Sequence, residues 1–406
     1  MRVLVIASRD ISHPEWAGGD VYLHQLTSRL SEMGHEIIIL CNNYSGGDSF
    51  SSTDGIRIYR IRGGLLRPIR NVLVYSRLRK WPEIVVEEVE GPAGPFFSAL
   101  YVKKPLIGLW HQPARKILFA QYPMFLATPL TALDVVYGRL LRHRAVVVPS
   151  LASAREVEKL GIPASRIFVV PGAPNSNPGA LNAISSLKPP FFLTLGKYRA
   201  YKCFDHAILA MKTVVKKHPE CNLVIAGGRN FSEERTLRRL SENSGLQSNV
   251  RFLSLSNPEK NWALANCIAL LVPSPIEGFS LASVEANSFG APVIASSGVP
   301  DDVVVDGING LRYEFGNIQE LSMLMLRFLE NPDRESWSPR CAKFSRQFTW
   351  EKSAKILQQV LESVAVIQSE LNRNTQSPKP SQSIDGVSLG FSPTTEPTVP
   401  SQNGKK

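Results

Sequence analysis

Cysteine is scarce and without pattern. Cys41, Cys203, Cys221, Cys267 and Cys341 are odd in number, scattered, and include no C-x-x-C. A zinc knuckle or a disulfide-stapled scaffold needs spaced pairs, so the five read as core fillers in a reducing compartment. No D-x-D pair occurs either. A metal held by such a pair is therefore not expected, and no metal or cofactor is assigned. Uninterrupted apolar runs of about eighteen residues are missing, and the opening MRVLVIAS lacks the shape of a leader. The expected location is the cytoplasm or the cytosolic face of a membrane. Acids are outnumbered, 35 against 46 Lys and Arg, leaving a formal net charge of +11. No recognisable nucleic-acid-binding pattern accompanies that excess, so nucleic acid is not the expected partner.

What is present is length and alternation. The 406 residues, 43% apolar and 20% charged, suffice for two domains of ordinary size. The most informative stretch is VPSPIEGFSLASVEANSFGAPVIASSGVPDDVVVDGING, from Val272 to Gly310. CIALLV before it suits a buried parallel strand, and Pro273, Pro275 and Gly278 force an irregular turn. Leu281 to Ala286 read as a helix with Ser280 at its N-cap. Gly290 closes that helix, and Val293 to Ala295 form the next strand. Strand, tight loop, helix and strand put unpaired helix N–H groups at the carboxyl edge of a parallel sheet. Glu277 precedes that helix and Glu285 lies inside it, leaning back toward the loop. Backbone N–H groups from Gly278 to Leu281 suit phosphate or sugar oxygens, and carboxylates suit hydroxyls. Solvated acids at a helix start have the same pattern, since the dipole favours them there.

The E-x7-E spacing of Glu277 and Glu285, inside PS-x-x-EGF and APVIAS-x-x-G, resembles the signature of the family 4 glycosyltransferases. The resemblance covers about residues 1–370 and is weakest over 50–80. At the amino end it takes in a strand over Arg2–Ser8, then Gly18-Gly19 and a helix from about Val21 to Met33. His35 and an apolar strand follow. It implies an α/β chain of GT-B fold, two Rossmann-like domains facing across a cleft. Residues 1–180, completed by a return helix at 349–370, would form the acceptor side. Residues 185–345 would bind the nucleotide sugar, and a Ser- and Pro-rich tail over 374–406 would be disordered.

Site residues carry over by position. Gly196, Lys197 and Lys202 fall on the family's G-R-x4-K pattern, with lysine in place of arginine at 197. The resemblance implies that Lys197 and Lys202, the Gly18-Gly19 loop, and the helix start at Ser280 and Leu281 hold the donor diphosphate. His111, Glu277, Gly278 and Phe279 would meet the sugar and Glu285 the ribose, with His111, Glu277 and Lys202 nearest the chemistry. His111 ends the apolar strand PLIGLW, so a parallel sheet would aim it into the crevice, although a lone histidine also serves structure alone. The linker sequence PGAPN departs from the family's Asn-Gly pair.

The activity so implied is transfer of a hexosyl group, with retention and without a metal, from a nucleotide diphosphate sugar to a glycan or lipid-linked acceptor. Cell-surface polysaccharide or glycolipid synthesis would be its setting. A non-hydrolysing nucleotide-sugar epimerase and a binding protein that has lost catalysis are the alternatives. Between Arg57 and Lys80 charge is one-signed, with Arg57, Arg60, Arg62, Arg67, Arg70, Arg77, Arg79 and Lys80. With the apolar-basic stretch from Lys116 to Arg144, it favours an anionic membrane surface as a partner.

Overall fold

Runs such as VLVI, IIIL and LLV are apolar at successive positions, which a strand tolerates only when both of its faces are covered. The computed structural model covers them in that way. It describes residues 1–64, 66–89, 96–175, 181–184, 187–228, 231–331 and 334–376. The tail expected to be disordered lies, from residue 377 on, outside the described residues.

The first unit runs β1 (Arg2–Ile6), α1 (Gly18–Glu32), β2 (Glu36–Asn42), β3 (Phe50–Thr53), β4 (Ile56–Ile61), α2 (Arg67–Leu78) and β5 (Ile84–Val89). It continues with α3 (Ser98–Tyr101), β6 (Leu106–Trp110), α4 (Arg115–Gln121), α5 (Met124–Leu141), β7 (Ala145–Val148), α6 (Leu151–Glu158) and β8 (Ile167–Val169). The strands pair in the order β3-β4-β2-β1-β5-β6-β7-β8, parallel except for β3 against β4. The second unit runs β9 (Phe191–Leu195), α7 (Phe204–Lys217), β10 (Asn222–Ala226), α8 (Phe231–Asn243), β11 (Val250–Leu253), α9 (Asn257–Asn266) and β12 (Leu270–Val272). Then come α10 (Leu281–Ser288), β13 (Val293–Ser296), β14 (Gly310–Tyr313), α11 (Ile318–Glu330), α12 (Arg334–Ser345) and α13 (Trp350–Gln376). Its sheet is parallel, in the order β11-β10-β9-β12-β13-β14.

In each sheet the strand order reverses beside the first strand, between β1 and β5 and between β9 and β12. A crevice opens at the carboxyl ends of such a pair because the following loops turn to opposite faces. The loops after β9 and β12 carry Lys197, Lys202 and Glu277. After β14 and the helices α11 and α12 the chain returns through α13, whose Trp350, Leu357, Val360 and Leu361 are buried with Leu23, Leu26 and Leu30 of α1. Burial of each large side chain contributes roughly 1.5–3 kcal/mol, so the return helix belongs energetically to the first sheet. Ser353 Oγ also donates to the Pro171 carbonyl at 2.7 Å.

Two expectations need correction. First, α1 begins at Gly18, so Gly18 and Gly19 form its first turn instead of a loop before it. Second, the basic residues from Arg57 to Lys80 do not all face outward toward an anionic surface. Arg60 is turned inward in a two-pronged pair with Asp10, with both contacts at 2.8 Å. Arg67 is buried on Asn71 and Asn42 and lies over the Phe96 ring. Helix α5 is long and apolar enough to cross a membrane by length and composition, with a mean hydropathy of 1.3 over its 18 residues. Asp134 and Arg139 interrupt its apolar run.

Candidate active site

The second unit supplies an ion pair held by two strained turns. After β9, Gly196 takes φ +147°, a turn of 3-10 helix spans Ala200–Lys202, and Cys203 is left-handed at φ 50° before α7 starts. Lys202 Nζ then donates to Glu277 Oε1 at 2.6 Å, with the two side chains only 18% and 10% exposed. Burial works against the Lys202 charge, but Glu277 outweighs it and carries the ammonium above its ordinary range. Glu277 is fixed in turn by its own N–H, which donates to the Gly298 carbonyl at 3.0 Å.

Ser280 occupies the N-cap position of α10 with φ 72°, yet its hydroxyl bonds Ser283 Oγ at 2.7 Å instead of capping the backbone. The N–H groups of Phe279, Ser280 and Leu281 meet no acceptor among the described residues. They remain as donors at the positive end of the helix dipole. Glu285 accepts twice from Lys260 Nζ, both at 3.1 Å. Lys260 was not legible from the sequence, since α9 brings it to Glu285 only in three dimensions.

The first unit supplies a histidine backed by a buried acid. Strand β5 alternates, so Glu87 and Glu88 face opposite sides of the sheet. Glu88 is fully buried and lies with Oε1 3.0 Å from His111 Nε2, its Oε2 accepting from the Ser8 N–H at 3.2 Å. Asp20, in the first turn of α1, accepts from the Ala17 N–H at 2.6 Å and pairs with Arg9. Burial, and next the charge of Glu88, raise the Asp20 pKa above the usual carboxylate range. Tyr22 meets the His111 ring edge-on at 5.3 Å. A Cβ on Gly19 would stand 3.2 Å from His111 Nε2, so the glycine permits helix and ring to touch. Glu88 escaped the sequence reading, although two acids ending a buried strand are a signal in themselves.

The two halves meet at Gly278. Its carbonyl accepts from Ser150 Oγ at 2.6 Å and Ser153 Oγ at 3.1 Å, and Ser153 Oγ also donates to the His111 carbonyl at 2.9 Å. A Cβ on Gly278 would come within 2.5 Å of that same carbonyl. The first turn of α1 also approaches the start of α10, where a Cβ on Gly18 would touch Leu281. Lys197 Nζ donates to the Glu15 carbonyl across the gap, and burial, then Arg9, lower its pKa. A cavity of about 200 Å³ adjoins the Glu277 loop, lined by Gln112, Glu277, Asp301 and Arg312 among others. One of about 430 Å³ is lined by Arg115, Phe119, Cys203, Pro275 and Phe315 among others, and shares Ser297 and Gly298 with the first.

His111, Gly19, Gly278, Glu277 and Lys202 are thus brought together, with Gly18 and Leu281 beside them. Phe279 is the exception, and its expected place against a sugar needs correction. Its side chain is buried, edge-on to Phe348 at 5.4 Å, and packs over Gly172, so its backbone N–H is what it offers to the loop. Ligating chemistry for a metal is found among the described residues in Cys203, Asp205 and His206, whose donor atoms lie within 4.8 Å of one another.

Residues 16–175 match the family described as Glycosyltransferase Family 4, and residues 182–347 match Glycosyl transferases group 1. Together these take in most of the chain, which belongs to the family 4 glycosyltransferases of GT-B fold. It is similar to an uncharacterized glycosyltransferase of Haemophilus influenzae, 29% identical over 163 residues, 39% of this chain and 45% of that one. A GDP-mannose-dependent monoacylated alpha-(1-6)-phosphatidylinositol monomannoside mannosyltransferase of Corynebacterium glutamicum is 30% identical over 171 residues, 39% of this chain and 43% of that one. The chain spans less than half the length of these relatives. Among solved structures, sucrose-phosphate synthase from Thermosynechococcus elongatus superposes with a TM-score of 0.69 at 17% identity, over 93% of this chain and 99% of that one. Anabaena Alr3699/HepE in complex with UDP and glucose does so at 0.69 and 16%, over 89% and 100%. Identities this low speak for the fold alone.

Proposed function

We propose that the protein is a retaining, metal-independent hexosyltransferase that uses a nucleotide diphosphate sugar. Its acceptor on this reading is a glycan or lipid-linked molecule at the cytosolic face of an anionic membrane, in polysaccharide or glycolipid synthesis. The observation that carries the reading is the Lys202–Glu277 pair, 2.6 Å long, beside the unpaired N–H groups that open α10. Cleaving the sugar–phosphate bond builds positive charge on the sugar and negative charge on the departing diphosphate. Lys202 and the α10 N–H groups are suited to the leaving group, and Lys197 and the first turn of α1 approach it from the other side. Glu277 then holds sugar hydroxyls, Glu285 the ribose, and His111 the sugar from the opposite unit. The acceptor oxygen bonds to the anomeric carbon as the phosphate oxygen leaves, and the acceptor's proton passes to that phosphate on the same face. With Glu277 tied to Lys202, no covalent glycosyl–carboxylate step is assigned.

The relatives named above include a GDP-mannose-dependent enzyme, and one structural neighbour holds UDP, which supports a nucleotide donor. A thermal-shift screen with UDP-, GDP- and ADP-sugars, followed by product analysis with and without acceptor, tests the reading. A stabilising donor and a product keeping the donor's anomeric configuration are expected. Conversion of the donor sugar without acceptor would instead establish an epimerase, and no nucleotide sugar raising the melting temperature would overturn the assignment.

A further inference from the structure

Helix α2 is built inside out. Its inward stripe is Arg67, Asn71 and Tyr75, all buried, at the i, i+4, i+8 spacing of one helix face. The opposite stripe carries Ile69 and Leu73, 58% and 56% exposed, with Val72 beside them. A helix on a water-facing surface has the reverse arrangement. Helix α5 repeats the anomaly in another form. Its inward stripe is Ala127, Asp134, Tyr137, Gly138 and Leu141, while Met124 and Phe125 are each 74% exposed and Leu126, Val135 and Val136 face out as well. From Met124 to Gly138 the sole charged residue is Asp134, and it points inward.

The two helices lie on one side of the first sheet, since Tyr75 of α2 and Tyr137 and Leu141 of α5 share a core cluster. Leu100 of α3, between them in the chain, is 68% exposed. In a parallel sheet the crossover helices run against the strands. The apolar starts of α2 and α5 therefore lie toward the carboxyl edge that holds the cleft. Their ends carry Arg77, Arg79 and Lys80, and Arg139, Arg142 and Arg144. Among the described residues none of these six cations meets a carboxylate in an ion pair. Apolar side chains turned outward and bordered by uncompensated cations match an anionic lipid leaflet, which takes both.

We propose that the outward faces of α2 and α5 form an in-plane surface for an anionic bilayer. The cavity of about 430 Å³ beside Phe119 of α4 then receives the acceptor from that surface. Although α5 has the length and composition to span, its inner face is committed to the sheet. Asp134 accepts from the Ala114 N–H at 2.7 Å, and Tyr137 Oη donates to Glu87 Oε1 at 2.8 Å. A Cβ on Gly138 would meet the Leu160 carbonyl at 2.4 Å. Spanning would break each of these contacts. Exposed Phe119 and Tyr122 continue the apolar surface to α4, which packs against the turn carrying Lys202. Attachment stands on these observations alone, while a lipid-linked acceptor rests on the glycosyl-transfer reading.

Flotation of the full chain with vesicles of phosphatidylcholine, with and without phosphatidylglycerol, tests the surface. The protein floats with the anionic vesicles and does so less as salt rises. Combined Ile69→Ser, Leu73→Ser and Phe125→Ser substitutions, all at outward positions, lower vesicle affinity at least tenfold with an unchanged melting temperature. Alanine at Arg77, Arg79 or Lys80 lowers it about fivefold each, which provides a second reading should the serine variant fold poorly. Absence of flotation, or flotation that neither set of variants alters, overturns the proposal. A dimer dissolved by the serine variant would make this face an interface between two copies, and resistance to alkaline carbonate extraction would mean that α5 spans. Nucleotide-sugar thermal shifts on the same samples read the donor site separately. A protein that floats yet binds no nucleotide sugar sinks the reaction and leaves the surface, and the converse sinks only the surface.

Discussion

Glu88, wholly buried on β5, holds its Oε1 3.0 Å from Nε2 of His111, one residue beyond the end of β6. A buried carboxylate costs stability unless its oxygens are bonded, and here both are, to His111 and to the Ser8 N–H. Glu88→Ala would leave those two groups without their acceptor. Unfolding stability is expected to fall by about 1–3 kcal/mol, and Glu88→Gln, which keeps an acceptor oxygen, should lose less. Denaturant melts of both variants check this, and equal losses would show that the contact is incidental.

Lys202→Ala removes the cation from a pair that is almost fully enclosed. If the Lys202 charge stabilises a departing diphosphate, turnover should drop by about 10²–10³, and donor affinity should fall with it. Steady-state kinetics on a folded variant decide the matter, and unchanged transfer would remove Lys202 from the mechanism.

Glu277→Gln separates sugar from phosphate. Affinity for free nucleoside diphosphate should stay within a few-fold of the parent, whereas transfer should be lost, because the carboxylate is assigned to sugar hydroxyls. Calorimetry with the diphosphate alone and a transfer assay make the comparison. Equal loss in both would show that Glu277 matters through Lys202 only.

Gly278→Ala tests the closeness of the two units. The added Cβ would meet the His111 carbonyl at 2.5 Å, a backbone atom that cannot swing aside. The loop must then back away from β6 and loosen the Ser150 and Ser153 contacts. Transfer should fall more than tenfold while each unit keeps its own core, so far-ultraviolet dichroism should not change.

Burial pushes the Glu87 carboxyl from 4.5 up to about 7, with Tyr137 bonding only partly offsetting the cost. A carboxyl with a raised folded pKa binds its proton more tightly folded than unfolded. Its contribution is fully present below about pH 4.5 and is lost as pH rises through 7, a change of up to about 3 kcal/mol. Glu87→Gln removes the titrating group, so the melting temperature of the parent should fall relative to the variant between those pH values. Parallel curves across that range would show that Glu87 does not titrate there.

The two parallel sheets and the loops that hold the candidate site follow from local rules along the chain. A short all-apolar run demands cover on both faces, Pro273, Pro275 and Gly278 break the chain after β12, and Gly290 closes α10 with φ 80°. Residues in tight loops after parallel strands lie near the cleft by that rule alone. Which partner each charge meets depends on how the strands are ordered in the sheets. Glu88 and His111 are 23 residues apart, Lys202 and Glu277 75, and Asp10 and Arg60 50. Spacing along the chain carries no information on such pairs until the sheet order brings the strand ends together. The direction of a helix face belongs to the same class. Eight basic residues between Arg57 and Lys80 look alike in sequence, yet β4 and α2 turn Arg60 and Arg67 inward and leave Ile69 and Leu73 outside. Which stripe of a helix touches the sheet is settled by packing against strands far away in the chain, and composition does not encode it.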